Sequence, residues 1–296
     1  MERIIFFLKP GAGEGIFENP EETIRKKSKQ HNYQFTIFNI PEEADRAKID
    51  DAIDKFRPTI AVAGGGDGTV NLVAGIIAGK DIRLGIIPLG SSNGLAYQLS
   101  IPDSPGEALD LIARGDSRKI DTLVINDKHM CLHMCDLGMN ARVIKRRQDE
   151  NMGGFLGYVK QYFKELGYKH KFSFDADAGE RHITGKAVMV VLANSSYYGT
   201  GARITPEGQP DDGRFEIVIV KAYTLRFFLD MLITIFYKNY RNKTTRYILK
   251  ASKAVITTNK PQEMQIDGEP MGMKDRIEAE IRPASINIIC NKKQQV

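Results

Sequence analysis

The stretch Ala61-Val-Ala-Gly-Gly-Gly-Asp-Gly-Thr-Val-Asn71 decides how this chain is read. Residues 59–63 form an apolar run with the character of a buried strand, and residues 70–78 resume with apolar side chains at near-helical spacing. A strand that turns through glycine into a helix leaves backbone N–H groups at the positive end of the helix dipole. Such a turn suits an anion, and glycine lets a phosphate approach the backbone closely. The spacing fits neither the dinucleotide fingerprint nor the P-loop, which needs Gly-Lys-Ser/Thr. Asp67 is the discordant residue, because a carboxylate beside a phosphate cradle repels its ligand unless a metal ion or a reacting proton stands between them. That conflict points to phosphoryl chemistry. The plainer reading is a tight strand–helix connection.

Working outward, residues 3–8 are an apolar run of the kind found in central parallel strands, followed by Lys9-Pro-Gly-Ala-Gly-Glu-Gly15. Asn19 caps a helix with Pro20 at its first position and Glu21 and Glu22 in its first turn. Residues 33–38 read as a second strand. Pro41 opens a helix with Ile49, Ile53 and Phe56 on one face. A fourth strand, 83–87, ends in Pro88-Leu-Gly-Ser-Ser-Asn-Gly-Leu-Ala96, and Ser104 with Glu107 forms a capping box on a helix that stops at Gly115. Alternating strands and helices predict a doubly wound parallel sheet, whose ligands bind beyond the carboxyl ends of the strands. All three glycine-rich loops fall at that edge.

Near Asp121 the pattern changes, and the boundary is placed at about residue 125. Residues 122–134 read as a hairpin, 140–168 as a helical stretch broken near 151–154, and most of the remainder as strands at 172–175, 187–193, 215–220, 254–258, 264–266, 277–281 and 286–289. This predicts two domains: residues 1–125, an α/β domain, and 126–296, a β-rich antiparallel sheet or sandwich whose C-terminal tail can return to the first. A helix over 225–240 carries Phe227, Phe228, Met231, Leu232, Ile235 and Phe236, with the basic residues Lys238, Arg241, Lys243 and Arg246 after or near its end. It reads as a helix packed on the sheet, with contact to a membrane edge as the alternative.

Composition sets the bounds. The 296 residues are 42% hydrophobic, enough for cores of ordinary size, and the net charge of +5 suits a nucleotide or an anionic membrane surface. It is too small to argue for nucleic acid, and no motif of that class is present. Three cysteines, Cys131, Cys135 and Cys290, argue against a disulfide scaffold and for a reducing compartment. Cys131-Leu-His-Met-Cys135 has no second ligand cluster, and its alternation suits a strand. With no signal peptide and no apolar run long enough to span a membrane, a cytoplasmic location is expected.

Phosphoryl transfer to a hydroxyl needs a phosphate cradle, a neutralising metal and a base. The candidate acids are Asp67 in the glycine turn, Asp121 at the domain junction, Asp212 in Asp211-Asp-Gly213, and Asp267 with Glu269 in Asp267-Gly-Glu269. Each taken alone also reads as a cap or a hairpin turn. Taken in order, Gly65-Gly-Asp-Gly-Thr69, Pro88-Leu-Gly-Ser-Ser-Asn93, Asp212-Gly213 and Asp267-Gly-Glu269 resemble the diacylglycerol/sphingosine-type lipid kinase family, particularly its soluble bacterial members. The first motif is also found in nicotinamide-dinucleotide kinases and is similar to that of phosphofructokinases. The second and last are what single out lipid kinases.

The resemblance implies a kinase that uses ATP and Mg2+ to phosphorylate a lipid hydroxyl at the membrane surface, with the nucleotide and substrate in a cleft between an α/β and a β-rich domain. Lys9, Pro10, Gly64, Gly65, Gly66, Asp67, Gly68, Thr69 and Asn71 would hold the ATP phosphates, helped by Gly90, Ser91 and Asn93. Glu269, or Asp267 beside it, matches the general base. Asp67 and Asp121 match acids near the reacting phosphate and its magnesium. Asp212, with carbonyls of Gln209 and Arg214, matches a second magnesium site regarded as structural. Peripheral membrane contact follows from such a substrate, and a homodimer stays open. Three departures stand out: Lys9 replaces the usual asparagine, Gly94 the usual aspartate, and Phe38 a threonine common after the second strand. A dinucleotide or other small-molecule kinase, and a catalytically silent nucleotide- or lipid-binding regulator, are the competing expectations. The stretch 155–166, with Phe155, Leu156, Tyr158, Val159, Tyr162 and Phe163, is the candidate apolar lining for a lipid.

Overall fold

The computed structural model describes the chain except for residues 14, 16–18, 42–44, 91, 151–156, 158–159, 162, 166–169, 199–201, 206–207, 223, 227–228, 231–232, 234–245 and 292–296. It divides into two compact units, Met1–Ile120 with Ala284–Val296, and Asp121–Pro283. The division falls five residues before the expected boundary near 125, and residues from 284 onward group with the first unit.

The first unit alternates strand and helix: β1 (Arg3–Leu8), α1 (Pro20–His31), β2 (Gln34–Asn39), α2 (Arg46–Phe56), β3 (Ile60–Gly65), α3 (Asp67–Ile77), β4 (Arg83–Pro88), α4 (Gly94–Gln98) and α5 (Pro105–Arg114). β2, β1, β3 and β4 pair side by side, all parallel. β3 is buried along its whole length and β1 at every residue but its first. Strands covered on both faces need continuous apolar runs, which is why these segments do not alternate. Asn19 caps α1 as expected, its side chain accepting from the Glu22 N–H. α2 begins later than the sequence suggested, at Arg46 behind an Asp45 cap, because the Asp45 carboxylate accepts from the Ala47 N–H. Ser104 stands at the N-cap of α5, yet its side chain makes no capping bond, so the expected capping box does not form. α1 is tied to α5 by Lys27 and His31, which reach Asp110 at 2.6 and 2.8 Å.

The second unit is mostly β. It holds β5 (Ser117–Ile125, from Asp121 onward), β6 (His129–Cys131), β7 (Met134–Gly138), α6 (Met139–Asp149), β8 (Phe172–Asp177), β9 (His182–Ala187), β10 (Met189–Ala193), β11 (Tyr197–Tyr198), β12 (Ala202–Arg203), β13 (Phe215–Val220), β14 (Arg246–Ala251), β15 (Lys253–Ile266) and the first part of β16 (Glu269–Ile289). The main strand order is β14-β13-β10-β7-β15-β16, antiparallel throughout, with β8 and β9 paired onto β15. β10 and β13 are fully buried. Their alternate residues feed two clusters: Val190, Leu192, Ile217 and Ile219 join Phe172, Phe174 and Phe215, while Met189, Val191, Val218 and Val220 join Met134 and Met139. The segments 254–258 with 264–266, and 277–281 with 286–289, are single long strands rather than separate ones, because β15 runs through a register shift between Thr257 and Gln262. β9 and β14 escaped the sequence reading, β9 because most of its residues are exposed and Ala187 alone is buried. The end of β16 belongs to the first unit, where Ile288 pairs in parallel with Leu84 of β4 and the Cys290 N–H donates to the Asp116 carbonyl.

Candidate active site

In the first unit, register decides where the glycine turns end. Leu8 pairs with Gly64, and Gly65 with Pro88, so the loops after β1, β3 and β4 leave the sheet at one level. Two bonds extend the ladder into the loops: Lys9 N–H to the Gly64 carbonyl at 3.1 Å and Leu89 N–H to the Gly65 carbonyl at 3.0 Å. Glycine is required here by crowding. A Cβ at Gly90 would stand 2.4 Å from the Gly66 Cα, one at Gly65 2.4 Å from the Thr69 Oγ1, and one at Gly64 2.4 Å from the Leu8 Cδ2. The second and third turns therefore touch backbone to backbone. α3 starts at Asp67 behind Gly66, with no side chain capping its first turn. A helix start without a side-chain acceptor is a place for an anion.

Asp67 has a local use that the sequence did not disclose. Its carboxylate accepts the N–H groups of Gly94 and Leu95, at 3.1 and 3.3 Å, and so ties the start of α4 to the glycine turn. Gly94, where the resembled family has an acid, is thus one of the donors. Asn93, at φ +51°, closes the third turn by accepting from the Gly90 N–H and donating to the Gly90 carbonyl. Lys9 and Pro10 are exposed after β1, Gly68 is exposed, Thr69 is buried, and Asn71 lies half-buried in α3. Ser91 lies outside the described residues. Phe38 packs its ring against Phe7 at 5.7 Å.

In the second unit the acids sit in side-chain networks. Asp267 and Gly268 form the two-residue loop between β15 and β16, with φ +48° and +91°. Two positive φ values are what a type I′ turn demands, and Asp-Gly is the pair that supplies them. The Asp267 carboxyl is buried and accepts the N–H groups of Leu132, His133 and Met134 at 2.7, 2.8 and 2.9 Å. Burial pushes its pKa up against the pull of those donors. Glu269, the next carboxylate along, is exposed. The two acids that the sequence leaves equivalent are therefore unlike: one is locked into the loop at 132–134, and the other is presented to solvent.

Asp121 is buried, and it anchors the Pro/Gly-rich loop before β13. Its Oδ2 accepts from the Gly213 N–H at 2.7 Å, and its own N–H donates to the Pro210 carbonyl at 2.6 Å. Within that loop the Asp212 Oδ1 accepts from the Arg214 N–H. Gln209 is exposed. Two residues beyond Arg214, Glu216 is buried, with neither carboxylate oxygen hydrogen-bonded. The Lys250 ammonium stands 3.6 Å from Glu216 and 3.7 Å from Asp212. Burial, reinforced by Asp212 and opposed by Lys250, holds the Glu216 carboxyl up at about 7. The orphaned oxygens belong to Glu216, whereas Asp212, the carboxylate expected to hold a divalent cation, already accepts from the Arg214 N–H and faces Lys250. Among the described residues, no group of three or more His, Cys, Asp or Glu side chains forms a metal cluster, so carbonyls would have to complete such a site.

Residues 3–125 match the model of the diacylglycerol kinase catalytic domain, and residues 134–290 that of the YegS C-terminal NAD kinase beta sandwich-like domain. The chain belongs to the YegS and diacylglycerol kinase family of lipid kinases. A probable lipid kinase YegS-like protein of Serratia proteamaculans is 28% identical over 90% of this chain and 88% of its own length. One from Yersinia enterocolitica is 30% identical over 73% of this chain and 74% of its own. A crystal structure of a putative diacylglycerol kinase from Bacillus anthracis shares the fold with a TM-score of 0.81, at 22% identity, covering 98% of this chain and 97% of that one. For this lipid kinase family member, the α/β and β-sandwich reading of the sequence is correct. No helix among the described residues is long and apolar enough to cross a membrane.

Several residues of the site left no local signal. Asn194 donates to the carbonyls of Asp121 and Leu132, at 2.8 and 3.0 Å, and stitches β5 to the loop that holds Asp267. His133, in that loop, shares a 2.7 Å hydrogen bond with the Ser195 hydroxyl, and both are buried. Their partners lie 62 to 73 positions away, beyond the reach of any spacing rule. Of the predicted lipid-lining stretch, Phe155, Leu156, Tyr158, Val159 and Tyr162 lie outside the described residues, while Phe163 is exposed. Most of the 225–240 helix is likewise outside them.

Proposed function

We propose that this protein transfers the γ-phosphoryl group of ATP to the hydroxyl of a membrane lipid of the diacylglycerol or sphingoid class. The observation that carries the reading is the contrast at the β15–β16 turn: Asp267 is engaged by three backbone N–H groups, and Glu269 is left as the exposed carboxylate. Glu269 is the base that takes the hydroxyl proton. The turns at Gly64–Gly66 and Gly90, the start of α3, and Lys9 bind the polyphosphate and orient it. Asp212 with carbonyls of Gln209 and Arg214 would hold a structural Mg2+, and a catalytic Mg2+ near Asp67 and Asp121 would neutralise phosphate charge. Asp67 ties the start of α4 to the glycine turn, and Asp121 anchors the loop that carries Asp212.

Labelled ATP offered with diacylglycerol, sphingosine and ceramide in mixed micelles tests this. Transfer to one of these lipids is expected, and Glu269→Gln should lower kcat about a thousandfold with nucleotide affinity within twofold, as removal of a general base does. Transfer only to soluble acceptors such as NAD would overturn the lipid reading, and ATP and lipid binding without turnover would favour a regulator. We also propose peripheral membrane contact. Leu225 and Leu229, one helical turn apart and about half exposed, support it together with the net charge of +5. Vesicles containing anionic lipid should sediment the protein at low salt and release it at high salt; indifference to both would remove the proposal.

A further inference from the structure

The turn that carries Glu269 is held by a second network besides the cage around Asp267. Asp136 of β7 and Gln265 of β15 are directly opposed across the antiparallel ladder. The Asp136 Oδ2 accepts from the Gln265 Nε2 at 2.5 Å and from the Asn140 Nδ2 at 2.6 Å. Asn140 reaches back because β7 passes into α6 through Gly138 alone, at φ +101°, where a Cβ would stand 2.6 Å from the Val188 carbonyl. With its NH2 turned to a carboxyl, the Gln265 amide must present its oxygen on the other side. There the Oε1 accepts from the Gly268 N–H at 2.7 Å. All three side chains are about as buried as side chains become, at 1%, 2% and 1% exposed for Asp136, Asn140 and Gln265.

A two-residue hairpin loop needs no help of this kind to form. Here the side chain of its first residue and the N–H of its second are both taken by buried partners, and the next residue is Glu269. A buried polar chain that is bonded end to end fixes one orientation, and a buried carboxyl that loses a partner is costly, so the arrangement is stiff. We infer that Asp136, Asn140 and Gln265 form a positioning relay for Glu269: through the Gly268 N–H they set the peptide plane between Asp267 and Gly268, and with it the direction in which the Glu269 carboxylate meets the acceptor hydroxyl. None of the three touches substrate on this account. The inference rests on the reading of Glu269 as the base.

The test separates the two claims. Glu269→Gln alone examines the base; parental kcat in that variant removes the base reading and the relay with it. Gln265→Met keeps the volume and deletes both bonds. It should lower kcat about 30-fold, the scale of a small misplacement of a reacting group, and leave KM for ATP and for lipid within twofold. Asp136→Asn should lose less, because an amide at 136 can still accept one bond. The double variant Asp136→Asn/Gln265→Met should be no slower than Gln265→Met, as members of one chain are not additive. Gln265→Met placed on Glu269→Gln should cost nothing further. Parental kcat in Gln265→Met, a loss confined to KM, or an equal loss in the Glu269→Gln background would each overturn the relay while leaving the base reading intact. Should Gln265→Met fail to fold, Asn140→Ala at the outer end of the chain carries the same comparison, with about a threefold loss in kcat expected and parental kcat overturning the relay.

Discussion

The glycine-turn end of the first unit and the acid-bearing turn of the second are built from opposite materials. In the first, the turns are backbone-built: Gly66 and Gly90 approach so closely that a Cβ at Gly90 would stand 2.4 Å from the Gly66 Cα, and the side chains that matter, Asp67 and Asn93, bond to main-chain N–H and C=O groups of the adjoining turns. In the second, the turn hangs from side chains gathered along the sequence: Asp267 on the loop at 132–134, Gln265 on Asp136, and Asn194 on both Asp121 and Leu132. A backbone-built site depends on what is missing from the sequence. A network-built site depends on groups that must all be present, and it carries the electrostatic cost of burying them.

The sharpest break of this contrast is Gly90→Val. A side chain there would overlap the Gly66 backbone, and the loops would have to part, at about 3 kcal/mol of overpacking strain. Affinity for ATP should fall about a hundredfold by titration calorimetry, the equivalent of that strain. Undiminished affinity would mean that the touching turns are not the cradle. Next in size is Asp267→Ala, which strands three buried N–H donors and should cost about 3 kcal/mol in urea unfolding without moving ATP affinity. A loss below about 1 kcal/mol would show that the hairpin stands without its cage. The smallest expected effect has the opposite sign. Glu216 is protonated more readily in the fold than in the unfolded chain, so its ionisation destabilises the protein as pH rises toward and through about 7. Glu216→Gln should therefore raise stability by about 2 kcal/mol at alkaline pH, with the gain shrinking as pH falls into the ordinary carboxylate range. A gain that persists at acid pH would trace to packing instead.

The same contrast explains what could be read in advance. β1, β3 and β4 announce themselves because a parallel strand buried on both faces has no polar positions, and the glycines between strand and helix are contiguous in sequence. The Asp-Gly turn at 267–268 is legible for the same local reason. What could not be read is the inequality of Asp267 and Glu269, since it depends on the N–H groups of residues 132–134, more than 130 positions earlier. Gln265 looks like any strand glutamine until its partner across the ladder is known. The largely exposed β9 was invisible because alternation requires one buried face, and β15 looked like two strands because its register shift interrupts the pattern.

Residues 284–289 enter the first unit as a strand beside β4, 164 positions after that unit's own run ends at Ile120. On a ribosome, which adds only about 5–20 residues per second, the β4 edge must therefore wait many seconds for its neighbour. Throughout that interval the nascent first unit carries an open parallel edge, the kind of surface that pairs with strangers. Ending the chain at Ile120 would leave the β4 edge without the strand that pairs with it in the complete fold.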